Sequence, residues 1–93
     1  MRVDLQDGFN NDRVELYVNG VKVFEKEGVT TRRQLGFALS AEVDMPAGTL
    51  ELEIRIPTRK LSKTISVDTP NIGISIRNGA IEIITSGKRF GYA

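Results

Sequence analysis

Residues 13–25 read Arg13-Val-Glu-Leu-Tyr-Val-Asn19-Gly20-Val-Lys-Val-Phe-Glu25, and residues 72–83 read Ile72-Gly-Ile-Ser-Ile-Arg-Asn78-Gly79-Ala-Ile-Glu-Ile83. In both stretches an Asn-Gly dipeptide lies between segments in which apolar residues alternate with other residues. Asn-Gly readily adopts the positive φ that both central residues of a type I′ turn require, so each stretch predicts a two-residue β-hairpin. A hairpin turn also fixes the register of its strands, and the register determines which side chains face the core.

In the first hairpin this register pairs Val18 with Val21 and Leu16 with Val23. The side chains predicted to face the core are Val14, Leu16, Val18, Val21 and Val23. The opposite face then carries two aromatic rings and three cations: Tyr17, Phe24, Arg13, Lys22 and Lys26. In the second hairpin the predicted core residues are Ile72, Ile74, Ile76, Ile81 and Ile83, and the apolar Ile84 falls on the outer face.

A third hairpin is predicted around Met45-Pro-Ala-Gly48, because Pro at the second and Gly at the fourth position suit a type I turn. Pairing Asp44 with Thr49 brings two apolar series onto one face: Phe37, Leu39, Ala41 and Val43 opposite Ile56, Ile54, Leu52 and Leu50. Short strands are also expected at Val3 and Leu5 and at Ile65 and Val67.

About seven or eight short strands, each with one apolar face, predict an all-β fold of two antiparallel sheets packed together. An immunoglobulin-like sandwich is favoured, with a small barrel or jelly-roll as the alternative. The whole sandwich is assigned to residues 1–86 as a single domain, and residues 87–93 form a C-terminal tail expected to pack on it.

Composition excludes several classes of chemistry. The chain has no Cys and no His, so it has no thiolate nucleophile, no Cys/His zinc site and no imidazole base. Thirteen Lys and Arg against 12 Asp and Glu give a net charge of +1, unlike the basic footprint of a nucleic-acid-binding domain. No apolar run has the length of a membrane helix. We therefore expect no cofactor, no nucleic acid and no membrane contact. The expected location is cytoplasmic, although a module of an extracellular protein would have a similar composition.

The leading candidate site is the outer face of the first hairpin. Exposed rings flanked by long polar side chains are typical of protein and sugar contacts. The alternative is that the C-terminal tail covers Tyr17 and Phe24. That tail is the second candidate, since Arg89, Phe90 and Tyr92 combine a cation with two rings. Such a tail suits either a contact with a partner or the capping of the sandwich itself.

Two further groups of Asp, Glu and Asn side chains are candidate sites, and each also has a purely structural explanation. Asp7, Asn10, Asn11 and Asp12 supply oxygen ligands that calcium prefers, but Asx turns account for the same residues. The third hairpin would place Glu42 opposite Glu51, with Asp44 and Glu53 nearby. An acidic patch at a sheet edge also deters edge-to-edge pairing.

These observations predict a small non-catalytic module that acts by protein–protein interaction, including self-assembly as a homo-oligomer through an edge strand. A carbohydrate-binding or adhesion-type module is the alternative, and the absence of Trp makes it the weaker one.

Overall fold

The structure, a computed structural model, describes residues 1–44 and 48–92 of the 93-residue chain. Within these residues it contains eight strands and one turn of 3₁₀ helix between the fifth and sixth. The strands are β1 Arg2–Leu5, β2 Asp12–Val18, β3 Val21–Val29, β4 Leu39–Glu42, β5 Leu50–Ile56, β6 Leu61–Val67, β7 Asn71–Arg77 and β8 Ala80–Ser86, and the 3₁₀ turn is Pro57–Arg59. No helix in this part of the chain has the length and apolar character of a membrane span.

The strands form two four-stranded sheets, one in the order β4-β1-β7-β8 and the other in the order β3-β2-β5-β6. The predicted two-sheet sandwich is confirmed. Neighbouring strands are antiparallel with one exception, because β1 runs parallel to β7 and pairs Val3 with Ile72 and Leu5 with Ile74. Alternation of apolar residues is the same in both strand directions, so the sequence pattern did not distinguish this pair.

A single apolar core lies between the sheets. Its fully buried members include Leu16 of β2, Leu52 and Ile54 of β5, and Ile72 and Ile74 of β7. β2 and β5 bury strictly alternate residues, as expected when one face of a sheet packs against another sheet, whereas β3 contributes only Val29 and, in part, Phe24. Phe9, in the connection between β1 and β2, is also buried and belongs to the same cluster.

The register predicted for the second Asn-Gly hairpin is confirmed along its whole length. Arg77 pairs with Ala80, Ile76 with Ile81 and Ile74 with Ile83, with no irregularity. Both turn residues have positive φ, 53° at Asn78 and 73° at Gly79, as a type I′ turn requires.

In the first hairpin the predicted register is correct only next to the turn. Val18 pairs with Val21 and Tyr17 with Lys22, but Leu16 pairs with Phe24 rather than Val23. One extra residue on β3 makes this a β-bulge. The bulge turns the Phe24 ring toward the core, where it buries more apolar surface than Val23 would. Val21 and Val23, predicted to be buried, are 65% and 43% exposed.

The predicted third hairpin is wrong. β4 pairs with β1, whereas β5 lies between β2 and β6 in the other sheet. β4 and β5 face the same core from opposite sheets. Their apolar residues therefore alternate in the same pattern although the two strands are not neighbours. Of the predicted turn at 45–48, residues 45–47 lie outside the described residues.

Candidate functional site

The outer face predicted for the first hairpin loses two of its five members. Tyr17, Arg13 and Lys22 lie on the outer face of the sheet, since Tyr17 pairs with Lys22 across the ladder. Phe24 is instead half-buried against the core. Lys26 pairs with the buried Val14, so it too is on the inner side of β3, where it is exposed. The bulge explains both corrections, because one extra residue exchanges the two faces of the strand beyond it.

On this outer face the cations are held by carboxylates of the same sheet. Arg13 reaches three of them, with nitrogen-to-oxygen distances of 2.8 Å to Glu15, 2.6 Å to Glu25 and 2.8 Å to Glu27. Lys22 lies 3.0 Å from Glu25. The guanidinium of Arg13 lowers the pKa of Glu15, and the hydrogen bond donated by the Tyr17 hydroxyl acts in the same direction. Glu15 therefore stays ionised at neutral pH, and the two cations of this network are paired with three carboxylates.

The ring of Tyr17 is covered by Arg55, a residue that no sequence pattern indicated. The guanidinium carbon of Arg55 lies 4.2 Å from the ring centroid, and its nitrogens donate to Glu53. Tyr17 pairs with Glu53 on β5, which places Arg55 two residues further along the same face. A cation stacked on an aromatic ring occupies the surface that a sugar would use. Tyr17 therefore does not present a free aromatic platform.

The C-terminal tail packs on the other sheet, away from Tyr17. The Tyr92 hydroxyl donates to Asp4 at 2.7 Å and accepts from the Gln6 amide at 3.0 Å, and its ring lies 4.6 Å from that of Phe37. Burial raises the pKa of Tyr92 to about 12, and the hydrogen bond to Asp4 adds to the effect. Of the other tail residues named above, Phe90 is half-buried and Arg89 is exposed.

The Asp7–Asp12 loop is organised by an arginine. Asp12 is buried, and its carboxylate accepts hydrogen bonds from Arg59, Thr58 and the Asn10 N–H. Among residues 1–44 and 48–92, no group of three acidic, His or Cys side chains is placed to hold a metal ion. The Arg59 guanidinium balances the negative charge of the Asp12 carboxylate, which is the role that a bound cation would have in this loop. This ion pair between the buried Asp12 and the partly exposed Arg59 joins the start of β2 to the 3₁₀ turn.

The acidic patch predicted on the third hairpin does not form, since that hairpin does not exist. Glu42 is on β4 and pairs with Arg2, whereas Glu51 is on β5 and pairs with Ser66. The like charges that would have faced each other belong to different sheets.

A polar cavity of about 280 Å³ lies at one end of the sandwich, between the Asp7–Asn10 segment and Thr30, Thr31 and Arg33. Its threonine hydroxyls hold the loop together. Thr31 accepts from the Phe9 N–H and donates to the Gln6 carbonyl, and Thr30 accepts from the Asn11 N–H. These contacts give the lining residues a structural role.

The four edge strands differ in how they resist pairing with another chain. An edge is blunted by a bulge, by a charge pointing inward or by short length. β3 has the bulge and the inward-side Lys26, β4 has only four residues, and β6 carries Lys63 opposite the buried Ile54. Each of these three edges therefore has a protective feature.

The fourth edge, β8, has neither a bulge nor a basic residue or proline. Its seven residues pair regularly with β7, and their single charge, Glu82, lies 3.3 Å from Arg77 of the same hairpin. Along the β7–β8 ladder, hydrogen-bonded pairs alternate with non-hydrogen-bonded pairs, beginning with the hydrogen-bonded pair Arg77–Ala80 next to the turn. Ile81, Ile83 and Thr85 belong to non-hydrogen-bonded pairs, so their backbone N–H and C=O groups point away from β7. Among the described residues, one hydrogen bond to these groups is found, from Lys63 Nζ to the Ile81 carbonyl at 3.4 Å.

Ile84 adds an apolar side chain to this edge. It lies on the outer face of β8 and is 44% exposed, as its sequence position predicted. The sequence alone did not identify β8 as an edge, because strand order depends on contacts between distant segments. Comparison of the chain with protein-family models, with curated proteins and with solved structures found no match.

Proposed function

We propose that this protein is a small non-catalytic binding module that makes protein–protein contacts by accepting an additional β-strand at the edge of β8. The observation that carries the proposal is the seven-residue, regularly paired edge with the exposed Ile84 beside it. An added strand would satisfy the outward backbone groups of Ile83 and Thr85, and the side chain of Ile84 would provide apolar contact. Main-chain pairing of this kind gives affinity, and alternate side chains give specificity.

The properties of the other surfaces support β8 as the contact. The face around Tyr17 is occupied by ion pairs within the sheet, and the edges of β3, β4 and β6 each carry a feature that disfavours pairing. No specific observation favours carbohydrate, because Arg55 covers the Tyr17 ring and Phe24 packs against the core. The absence of Cys and His supports a role without catalysis.

Selection from a displayed random-peptide library tests the proposal. Peptides selected on the wild-type protein are expected to lose at least about tenfold in affinity for Thr85→Pro, since proline removes an outward N–H that an added strand needs. Thr85 is exposed and its N–H does not bond to β7, so this variant should keep its melting temperature. Val21→Lys on β3 is the matched control and should bind normally. Equal affinity for Thr85→Pro and the wild type would place the contact elsewhere.

A further inference from the structure

We infer that the strand accepted by β8 is β8 of a second copy of this chain, paired antiparallel with Ile84 on the two-fold axis. This inference rests on the function proposed above and specifies the partner. A two-fold axis perpendicular to the sheet leaves the inner faces of both copies on one side and the outer faces on the other. The two sheets therefore join into one continuous sheet across both copies. The backbone and charged groups of β8 restrict the register of this pairing.

The hydrogen-bonding groups of the edge fit a pairing centred on Ile84. The backbone groups of Ile83 and Thr85 point outward on either side of Ile84. In this register Ile83 of one copy faces Thr85 of the other copy. The two residues would exchange backbone hydrogen bonds, while Ile84 would face its own copy in a non-hydrogen-bonded pair, where side chains lie closest. Both Ile84 side chains would thereby leave water.

Two registers centred closer to the Asn78-Gly79 turn are disfavoured. Centring on Glu82 would set two carboxylates directly opposite each other, which destabilises a ladder. Centring on Ile83 would place Glu82 against Ile84 and would require the Ile81 carbonyl, which Lys63 already binds. Centring on Ile84 sets Glu82 opposite Ser86 and leaves the contact between Lys63 and Ile81 intact.

The end of β8 limits the length of the pairing. The chain bends at Gly87 and Lys88, and the Ser86 hydroxyl accepts a hydrogen bond from the Lys88 N–H. The tail then crosses to Asp4 and Phe37 on the outer face of the same sheet. Residues 82–86 are therefore the segment that pairs, and so short a segment gives a dimer that depends on protein concentration.

Disulfide trapping tests the register, because the chain has no cysteine of its own. Cα atoms in a non-hydrogen-bonded pair are about 4.5 Å apart, within the range of a disulfide. Ile84→Cys is expected to form covalent dimers at least about tenfold faster than Val21→Cys, since pairing raises the local thiol concentration. Val21 is 65% exposed and Ile84 is 44% exposed, so random collisions would make Val21→Cys crosslink faster than Ile84→Cys.

A mixture of Glu82→Cys and Ser86→Cys chains is expected to give the mixed disulfide in preference to either homodimer. Light scattering should show wild-type dimers whose fraction rises with concentration, and Ile84→Lys should be monomeric. If Val21→Cys crosslinks as fast as Ile84→Cys, or if the wild type is monomeric throughout, the second copy is not the partner. Binding of selected peptides that is sensitive to Thr85→Pro would in that case leave the proposed function standing. Loss of both results would overturn the inference and the proposed function together.

Discussion

Lys22 Nζ lies 3.0 Å from Glu25 Oε2, and both residues extend from the outer face of β3. Residues three apart in a regular strand point to opposite faces, so this ion pair exists only because one extra residue lies between them. The extra residue is Val23, which follows Lys22 and precedes the core-facing Phe24. The ion pair therefore marks the bulge that distinguishes the edge of β3 from that of β8.

Deletion of Val23 is expected to remove the bulge nearest the turn, while the second register shift of β3, between Lys26 and Val29, remains. The remaining residues can keep the pairs Tyr17–Lys22 and Leu16–Phe24, so the fold and the core contact of Phe24 should survive. Without the bulge the edge is straighter and more open to another strand, and self-association should increase. Light scattering in an Ile84→Lys background isolates this effect from pairing at β8. Val23→Ala keeps the bulge and is the control; identical behaviour of the two variants would contradict the prediction.

Gly8 and Gly20 allow a matched test of backbone crowding. Both have positive φ, 86° and 83°, but a Cβ on Gly8 would clash with the Ile76 carbonyl oxygen, whereas one on Gly20 would meet nothing within 4 Å. Gly20→Ala is expected to cost about 1 kcal/mol for the left-handed conformation. Gly8→Ala should cost at least about 2 kcal/mol more, because strand β7 must move. Urea denaturation measures the free energy of unfolding of both variants. Similar losses of stability would show that the close approach of Gly8 to Ile76 does not add to the cost of the substitution.

Stability in acid should depend on Asp12. Burial raises the pKa of this carboxyl, but the hydrogen bonds from Arg59, Asn10 and Thr58 outweigh it and hold the pKa below the ordinary value of 3.8. The folded protein thus binds this proton more weakly than the unfolded chain. The stabilisation is complete above pH 3.8 and is lost as pH falls through the lowered pKa.

Asp12→Asn is accordingly expected to reduce the free energy of unfolding by about 2 kcal/mol at neutral pH, since charged hydrogen bonds to a buried group are lost. Its stability should fall less steeply than that of the wild type as the solution becomes acidic. Denaturant titrations at several pH values provide the measurement. Asp7→Asn, at an exposed position of the same loop, is the control. Parallel curves for Asp12→Asn and the wild type would contradict the assignment.

Stability in alkali should depend on Tyr92. Burial and the hydrogen bond to Asp4 raise its pKa from 10.0 to about 12, so the folded state favours the neutral hydroxyl. The stabilisation is complete below pH 10 and is lost as pH rises toward 12. Tyr92→Phe should be about 1.5 kcal/mol less stable at neutral pH and should show a shallower alkaline decline. Tyrosinate absorbance in a Tyr17→Phe background, where Tyr92 is the single tyrosine, reports the pKa directly; a midpoint near 10 would contradict its burial.

Sequence pattern predicts this fold well where the information is local. The turn at Asn78-Gly79 predicts every pair of the β7–β8 hairpin, and it also predicts the exposure of Ile84. At Val23-Phe24 two apolar residues are adjacent, so either register buries one of them. The choice depends on how a ring fits the finished core, which alternation does not encode.

Contacts between distant segments were the least predictable. Asp12 and Arg59 are 47 residues apart, and nothing next to either residue indicates that one will hold the other. Likewise, the apolar residues of β4 and β5 match whether the strands are neighbours or face each other across the core. The candidate site at β8 needed the strand order, because an edge is defined by which neighbour a strand lacks.

The parallel pairing of β1 with β7 has a consequence for the order of folding. β1 lies inside its sheet, between β4 and β7, and its pairs with β7 join residues 2–5 to residues 71–74. The other sheet uses only residues 12–67, and its longest-range pairing, of β2 with β5, joins residues 15–18 to residues 52–55. Closing the longer loop between β1 and β7 is slower. The β7–β8 hairpin can form locally around Asn78-Gly79, but we expect the β4-β1-β7-β8 sheet to be completed later than the other sheet, when β1 docks beside β7.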